Sequence, residues 1–174
     1  DRYERAFELL RDAEIALHQA KALGRARSIG FDAEMRRDAM NRMDLEIDLR
    51  HALDNQEFVL YYQPKIDLRT GALAGFEALI RWRHPSLGIV PPLKFIPIAE
   101  ETGMIIPIGA WAMEDSARQF AAWHQLLPEA NLHVSVNLSV KQFFDRELID
   151  LVSRVVNDLA LPPGQFVWRS PKVC

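Results

Sequence analysis

From His133 to Val140 polar and apolar residues alternate without a break. Val134, Val136, Leu138 and Val140 fall on one side, and His133, Ser135, Asn137 and Ser139 on the other. That is the two-residue period of a strand. The same period runs through Phe58 to Leu68 and again through Ala72 to Trp82. The Arg69-Thr70-Gly71 turn between these two stretches predicts a hairpin, hence an antiparallel pair. Pro64 has no amide hydrogen to give, so the first strand is expected to be interrupted or to lie at an edge there. Phe76, Ala78, Ile80 and Trp82 make a wholly apolar face that must be packed. Gly88 to Pro92 reads as a loop, and a last short strand begins at Phe166.

Elsewhere apolar positions recur with helical spacing. Residues 1 to about 24 predict an amphipathic helix with Phe7, Leu10, Leu17 and Ala20 on one stripe and Gly24 as its stop. Residues 33 to about 55 predict a second helix with two stripes, Met40, Met43 and Ile47 on one and Leu45, Leu49 and Leu53 on the other. Phe95 to Gly103 is a short helix ending on its glycine. Ile108 to Leu127 is a longer one, begun by Pro107, that buries Met113, Ala117, Phe120 and Ala121. Leu148, Leu151, Val152, Val155 and Leu159 mark another, with Asp145 as its expected N-cap. After residue 55 the order is hairpin, helix, strand, helix, strand, which predicts an α/β fold with a parallel sheet covered by helices. The helix of residues 1–24 cannot bury its stripe alone. With Asp1 standing inside a helical pattern, the sequence is expected to be a piece of a longer protein.

Composition limits the function classes. Hydrophobic residues make up 49% of the chain, enough for a packed core, and the net charge is −3 with no basic stripe, which argues against a nucleic-acid partner. Cys174 is the single cysteine, so an internal disulfide is excluded and a reducing, cytoplasmic compartment is expected. No apolar run reaches the ~18 residues of a membrane span and no signal peptide is visible. Membrane anchoring and sensor domains upstream stay open, as does a homodimer.

The candidate chemistry lies on the polar faces of the strands. Glu77, Leu79 and Arg81 share one face. A carboxylate suits a metal ion and a guanidinium suits a phosphate, but a structural ion pair fits the same spacing, and the residues alone leave both open. For Gln63 the plain reading is a buried amide bonded to backbone. The polar face of residues 133–139 meets solvent in a sandwich and the interior in a parallel barrel. Glu100 and Glu101 read as a solvated helix end.

The string Glu77-Ala78-Leu79-x-Arg81-Trp82-x-His84-Pro85 closely resembles the signature of the EAL domain, a family of cyclic di-GMP phosphodiesterases. Gln63-Pro64, Phe95-Ile96-Pro97-x-Ala99-Glu100 and Ser135-Val136-Asn137-Leu138-Ser139 match further motifs of that family. The resemblance runs from residue 55 to 167. It implies a TIM-like (β/α)8 barrel with an antiparallel first strand. It also implies hydrolysis of cyclic di-GMP to linear pGpG with the help of Mg²⁺ or Mn²⁺. It implies Glu77 and Asn137 as metal ligands, the latter through its carbonyl oxygen, Arg81 at a phosphate and Gln63 as a ligand contact. Leu9 to Lys21, with Gly24 and Phe31-Asp32, is similar to the last helix and strand of a GGDEF (diguanylate cyclase) domain, with His18 where that family usually has tyrosine. The cyclase motif is absent, so no cyclase activity is expected. The expected organisation is a GGDEF tail at 1–32, a linker helix at 33–55 and the N-terminal half of an EAL domain at 56–174.

A full TIM barrel needs about 250 residues, roughly twice the length of chain beyond the linker. The family pattern should continue after Gln165 as Phe-Val-Leu-Glu-Ile-Thr-Glu-Ser-Val. Here the chain reads Phe166-Val167-Trp168-Arg169-Ser170-Pro171-Lys172-Val173-Cys174. The expected glutamates fall on Arg169 and Lys172, and a cation repels a metal ion rather than binding it. A single base would account for the change if the codons are chosen suitably among the synonyms. TGG-AGA-TCA-CCG-AAA-GTG-TGC encodes Trp168 to Cys174, and with a C restored ahead of it CTG-GAG-ATC-ACC-GAA-AGT-GTG encodes Leu-Glu-Ile-Thr-Glu-Ser-Val. Residues 168–174 are therefore expected to be out of frame, and the chain as it stands to be inactive. A non-catalytic cyclic di-GMP-binding module and a protein-interaction fragment are the alternatives.

Overall fold

The computed structural model describes residues 5–22, 24, 26, 28–162 and 164–169. Two compact units divide the chain between Asp48 and Leu49.

In the first unit α1 spans Ala6–Ala22 and α2 begins at Ala33, running to Ala52. Gly24 ends α1 as expected, at φ 108°, with its N–H on the Lys21 carbonyl. The buried side of α1 is not the expected stripe. Asp12, Ala16 and Ala20 are buried, whereas Phe7, Leu10 and Leu17 are more than half exposed. An ion pair sets this orientation: Arg36 on α2 donates through Nε to the buried Asp12 carboxylate at 3.2 Å, and a charge taken out of water must keep its partner. No strand forms around Phe31-Asp32 among the described residues. Asp32 instead caps α2, its Oδ1 accepting the N–H groups of Glu34 (2.7 Å) and Met35 (2.9 Å). A lone strand there would have left its backbone groups unpaired. Of the two stripes on α2, Met40, Met43 and Ile47 stay exposed while Leu49 is fully buried.

The second unit is a sheet with helices on one face. β1 (Phe58–Ile66) and β2 (Leu73–His84) form the predicted antiparallel hairpin. β4 (His133–Asn137) lies parallel to β2, and β5 (Phe166–Arg169) parallel to β4. The order across the sheet is β1-β2-β4-β5. Pro64 therefore sits on an edge strand, where a missing N–H costs nothing. The crossover from β2 to β4 carries α3 (Pro92–Thr102) and α4 (Ile105–Leu126), and that from β4 to β5 carries α5 (Val140–Phe143) and α6 (Leu148–Asp158). Gly103 ends α3 at φ 80°, the left-handed stop its position predicts.

Three local expectations fail. Gly88–Val90 is not loop but a short strand, β3, antiparallel to β2. The buried His84 imidazole closes that turn, its Nδ1 accepting the N–H of Ser86 at 3.1 Å. The alternation through Val140 also stops early. β4 ends at Asn137, and Ser139 opens α5 with a reciprocal capping box to Gln142, two backbone and side-chain bonds that outcompete one more strand residue. Asp145 is not the cap of α6. It accepts the N–H of Glu147, the residue that holds the N-cap position.

The core lies between sheet and helices. Leu60, Ala78, Val134, Val136 and Phe166 pack on Ala112, Met113, Ala117 and Phe120 of α4 and Val155 of α6. Each large side chain buried there contributes about 1.5–3 kcal/mol. At one end Trp82 is fully buried, its indole N–H on Glu57 at 2.8 Å, with the rings of Phe58 and Phe95 about it. β2 and β4 approach closely at Gly75, where a Cβ would stand 1.9 Å from the His133 carbonyl oxygen. Only glycine permits that contact.

Candidate functional site

Alternation sends the other half of each strand to the open face of the sheet. There stand Tyr61, Gln63 and Lys65 of β1, Glu77, Leu79 and Arg81 of β2, Ser135 and Asn137 of β4, and Arg169 of β5. Register fixes their neighbours. Gln63 pairs with Glu77, Glu77 with Ser135, and Asn137 with Arg169.

Glu77 is the centre. Its Oε1 accepts the Asn137 Nδ2–H at 2.9 Å, and its Oε2 lies 3.6 Å from the Lys65 ammonium. Lys65 also donates to the hydroxyl of Ser135, which is buried. The Asn137 hydrogen bond holds the Glu77 carboxyl below the usual carboxylate range, against its partial burial and with help from the charges of Lys65 and Arg169. Glu77 is thus kept ionised. Arg81 stands two alternate positions farther along β2, ~13 Å by strand rise. It does not pair with Glu77, and among the described residues it has no carboxylate partner. Its Nη1 donates to the Ile80 carbonyl at 2.8 Å and its Cζ lies 5.7 Å from the centre of the Tyr61 ring. A cavity of about 260 Å³ at this end of β2 and β4 is lined in part by Leu79, Arg81, Asn137, Ile96 and Glu100.

Of the four residues singled out by sequence, Glu77 and Asn137 touch, Gln63 is the cross-strand neighbour of Glu77, and Arg81 lies apart. Gln63 is exposed rather than a buried amide, and no Glu77–Arg81 ion pair forms. Sequence reasoning missed Lys65, Ser135 and Tyr61. Continuing the alternation from Gln63 in both directions, back across Tyr62 to Tyr61 and on across Pro64 to Lys65, would have put both on this face.

Glu77 and Asn137 offer the oxygen donors that a hard divalent cation takes. Asn137 meets Glu77 through its amide nitrogen, and its Oδ1 remains as the donor. The chemistry fits Mg²⁺ or Mn²⁺, while the number of donors falls short of the six or so such ions take. Among the described residues no three of His, Cys, Asp and Glu converge. The next strand sets Arg169 opposite Asn137 in register. Lys172 and Cys174 lie outside the described residues. Among the described residues no helix is long and apolar enough to cross a membrane.

Residues 46–168 match the family model for the EAL domain. The bifunctional diguanylate cyclase/cyclic di-GMP phosphodiesterase MucR of Pseudomonas aeruginosa is 37% identical over 160 residues, 92% of this chain and 23% of that protein. The cyclic di-GMP phosphodiesterase PdeR of Escherichia coli is 39% identical over 151 residues, 87% of this chain and 22% of that protein. A solved structure of the PaMucR phosphodiesterase in complex with c-di-GMP aligns with a TM-score of 0.69 and 38% identity, over 72% of this chain and 50% of that one. The chain thus spans under a quarter of the length of these curated relatives and half of that solved chain.

Proposed function

The chain belongs to the EAL domain family, and from that premise we propose that it carries the N-terminal share of a cyclic di-GMP phosphodiesterase site. The observation that carries this is the Glu77–Asn137 contact on the open face of a sheet in which β1 is antiparallel to β2 while β2, β4 and β5 run parallel. In the family reaction water adds across one phosphodiester of cyclic di-GMP and linear pGpG results. Glu77 and Asn137 hold metal, Mg²⁺ or Mn²⁺. The metal, when bound, supplies Lewis acidity and offsets phosphate charge. Arg81 binds a phosphate and Gln63 contacts the nucleotide.

On this reading the chain of 174 residues does not turn over substrate. Two donors make an incomplete site, and Arg169 stands next to Asn137 where the family pattern has a glutamate. The family match ends at Trp168, in keeping with a frame change there. Resequencing the codons for Gln165 to Cys174 tests that point, and an unaltered sequence removes it. Residues 1–32 are the tail of a GGDEF domain and 33–55 a linker helix ahead of the EAL portion, on the cytoplasmic side of any anchor. In support, the 160-residue match to MucR is longer than the stretch from Glu46 to the chain's end, so it takes in part of residues 1–45.

A second reading, binding without catalysis, is favoured by charge. Lys65, Arg81 and Arg169 face the same side of the sheet, and Glu77 is the single acid among the strand residues of that face. Such a face attracts an anion with no metal. Calorimetry with cyclic di-GMP in EDTA, in Mg²⁺ and in Mn²⁺, alongside product analysis, separates the readings: binding that needs the metal favours the first and binding in EDTA the second. Binding with no pGpG is expected. Turnover near ordinary enzyme rates of about 10 per second overturns the claim of inactivity, and no binding overturns both readings.

A further inference from the structure

Arg81 is oriented without being neutralised. It has one bond to its own strand's carbonyl and one flat neighbour, the Tyr61 ring, 5.7 Å from Cζ. Tyr61 pairs directly with Leu79, so Arg81 is its diagonal cross-strand neighbour, within reach of a long side chain. The ring is 47% exposed on the face away from the core, so packing does not explain an aromatic there. A carboxylate in that place would orient the guanidinium but cancel its charge and occupy its donors. An aromatic face holds the cation by its quadrupole and leaves the N–H edge free. Four of the five donors remain once Nη1 has bonded to Ile80.

We propose that Tyr61 is a positioning residue, holding the Arg81 guanidinium edge-on to an incoming phosphate. The inference rests on Arg81 as the phosphate contact of the site proposed above. It assigns Tyr61 no contact with the nucleotide.

The first test uses the chain without ligand. In ¹⁵N NMR the Arg81 Nε–H signal is expected to be resolved and ring-shifted in the wild type and in Tyr61→Phe. In Tyr61→Leu it collapses toward the signals of mobile arginines while the melting temperature stays put. Tyr61→Thr, with a strand-forming side chain, replaces Leu if that variant misfolds. An Arg81 signal unchanged on loss of the ring overturns the proposal. The second test titrates cyclic di-GMP. Tyr61→Leu is expected to weaken binding roughly two- to fivefold, and to have no further effect in an Arg81→Met background. Equal losses in both backgrounds mean that Tyr61 meets the ligand itself, and the proposal falls. If the wild type does not bind, the reading of the site fails, while the NMR result still decides the role of Tyr61.

Discussion

Two faces of β5 obey different rules. Toward the helices Phe166 is buried, 6.3 Å from the ring of Phe120, and Trp168 packs beside it. There the strand extends the core of β4 as though the family pattern had never broken. Toward the open face the same strand delivers Arg169 next to Asn137, one strand over from the Glu77–Asn137 pair. The sheet continues in register while the site does not. Apolar alternation is enough to add a strand, because burial is indifferent to the side chains on the far side. The chemistry of a site depends on single positions, and on the proposed reading one cation in place of a carboxylate reverses its sense.

Truncation of the buried face of β5 should weigh most on stability. Phe166→Ala should cost about 3–5 kcal/mol and Arg169→Ala no more than about 0.5 kcal/mol, both by urea denaturation. Equal losses would mean that the open face also holds the strand in place. Next comes the charge itself. Arg169→Glu exchanges a repelling cation for a third oxygen donor and should tighten Mn²⁺ binding by about tenfold or more, read by electron paramagnetic resonance. An unchanged affinity would show that β5 does not reach the site.

The smallest effect concerns Asn137. Its hydrogen bond is the leading cause of the lowered Glu77 pKa. Asn137→Ala should therefore move the Glu77 carboxyl titration up toward its ordinary value, followed by ¹³C NMR. A carboxylate depressed in the folded state stabilises above its unfolded pKa, and that contribution fades as pH falls through the folded one. The stability gap between wild type and Asn137→Ala should thus narrow below the ordinary value of 4.5. A gap independent of pH would assign Asn137 a role apart from Glu77.

The hairpin, the parallel strands and the covering helices could be read from the chain because each repeats its period over many residues, whereas the pattern did not say that the helices take one face. β3 could not. Three residues between Pro85 and Pro91 carry too few alternations to distinguish a strand from a loop, and Ile89 is half exposed. α5 hid for the opposite reason. Ser139 and Val140 continue the beat of β4, and only the spacing from Ser139 to Gln142 signalled a capping box. In the site, Glu77, Arg81, Asn137 and Gln63 were legible as motif residues. Lys65 and Tyr61 belong to no motif; alternation alone places them on the open face, but their partners across the strands come from register that a linear pattern does not display. The exposed seam of Met40, Met43 and Ile47 shows the limit of periodicity from the other side, since spacing alone does not say whether anything covers a stripe.

The hairpin also sets a timetable. β1 and β2 meet across a turn of a few residues, so Gln63, Glu77 and Arg81 share a surface as soon as His84 is made. Asn137 arrives only after the whole crossover of α3 and α4 has been synthesised. At typical translation rates of about 5–20 residues per second, the edge of β2 that β4 will take stays bare for roughly 2–10 s. A growing chain holds half of this face, with its backbone donors unpaired, before the partner strand exists. The close seat at Gly75 therefore stays open throughout that interval, and a chaperone that shields nascent strand edges has its opening then.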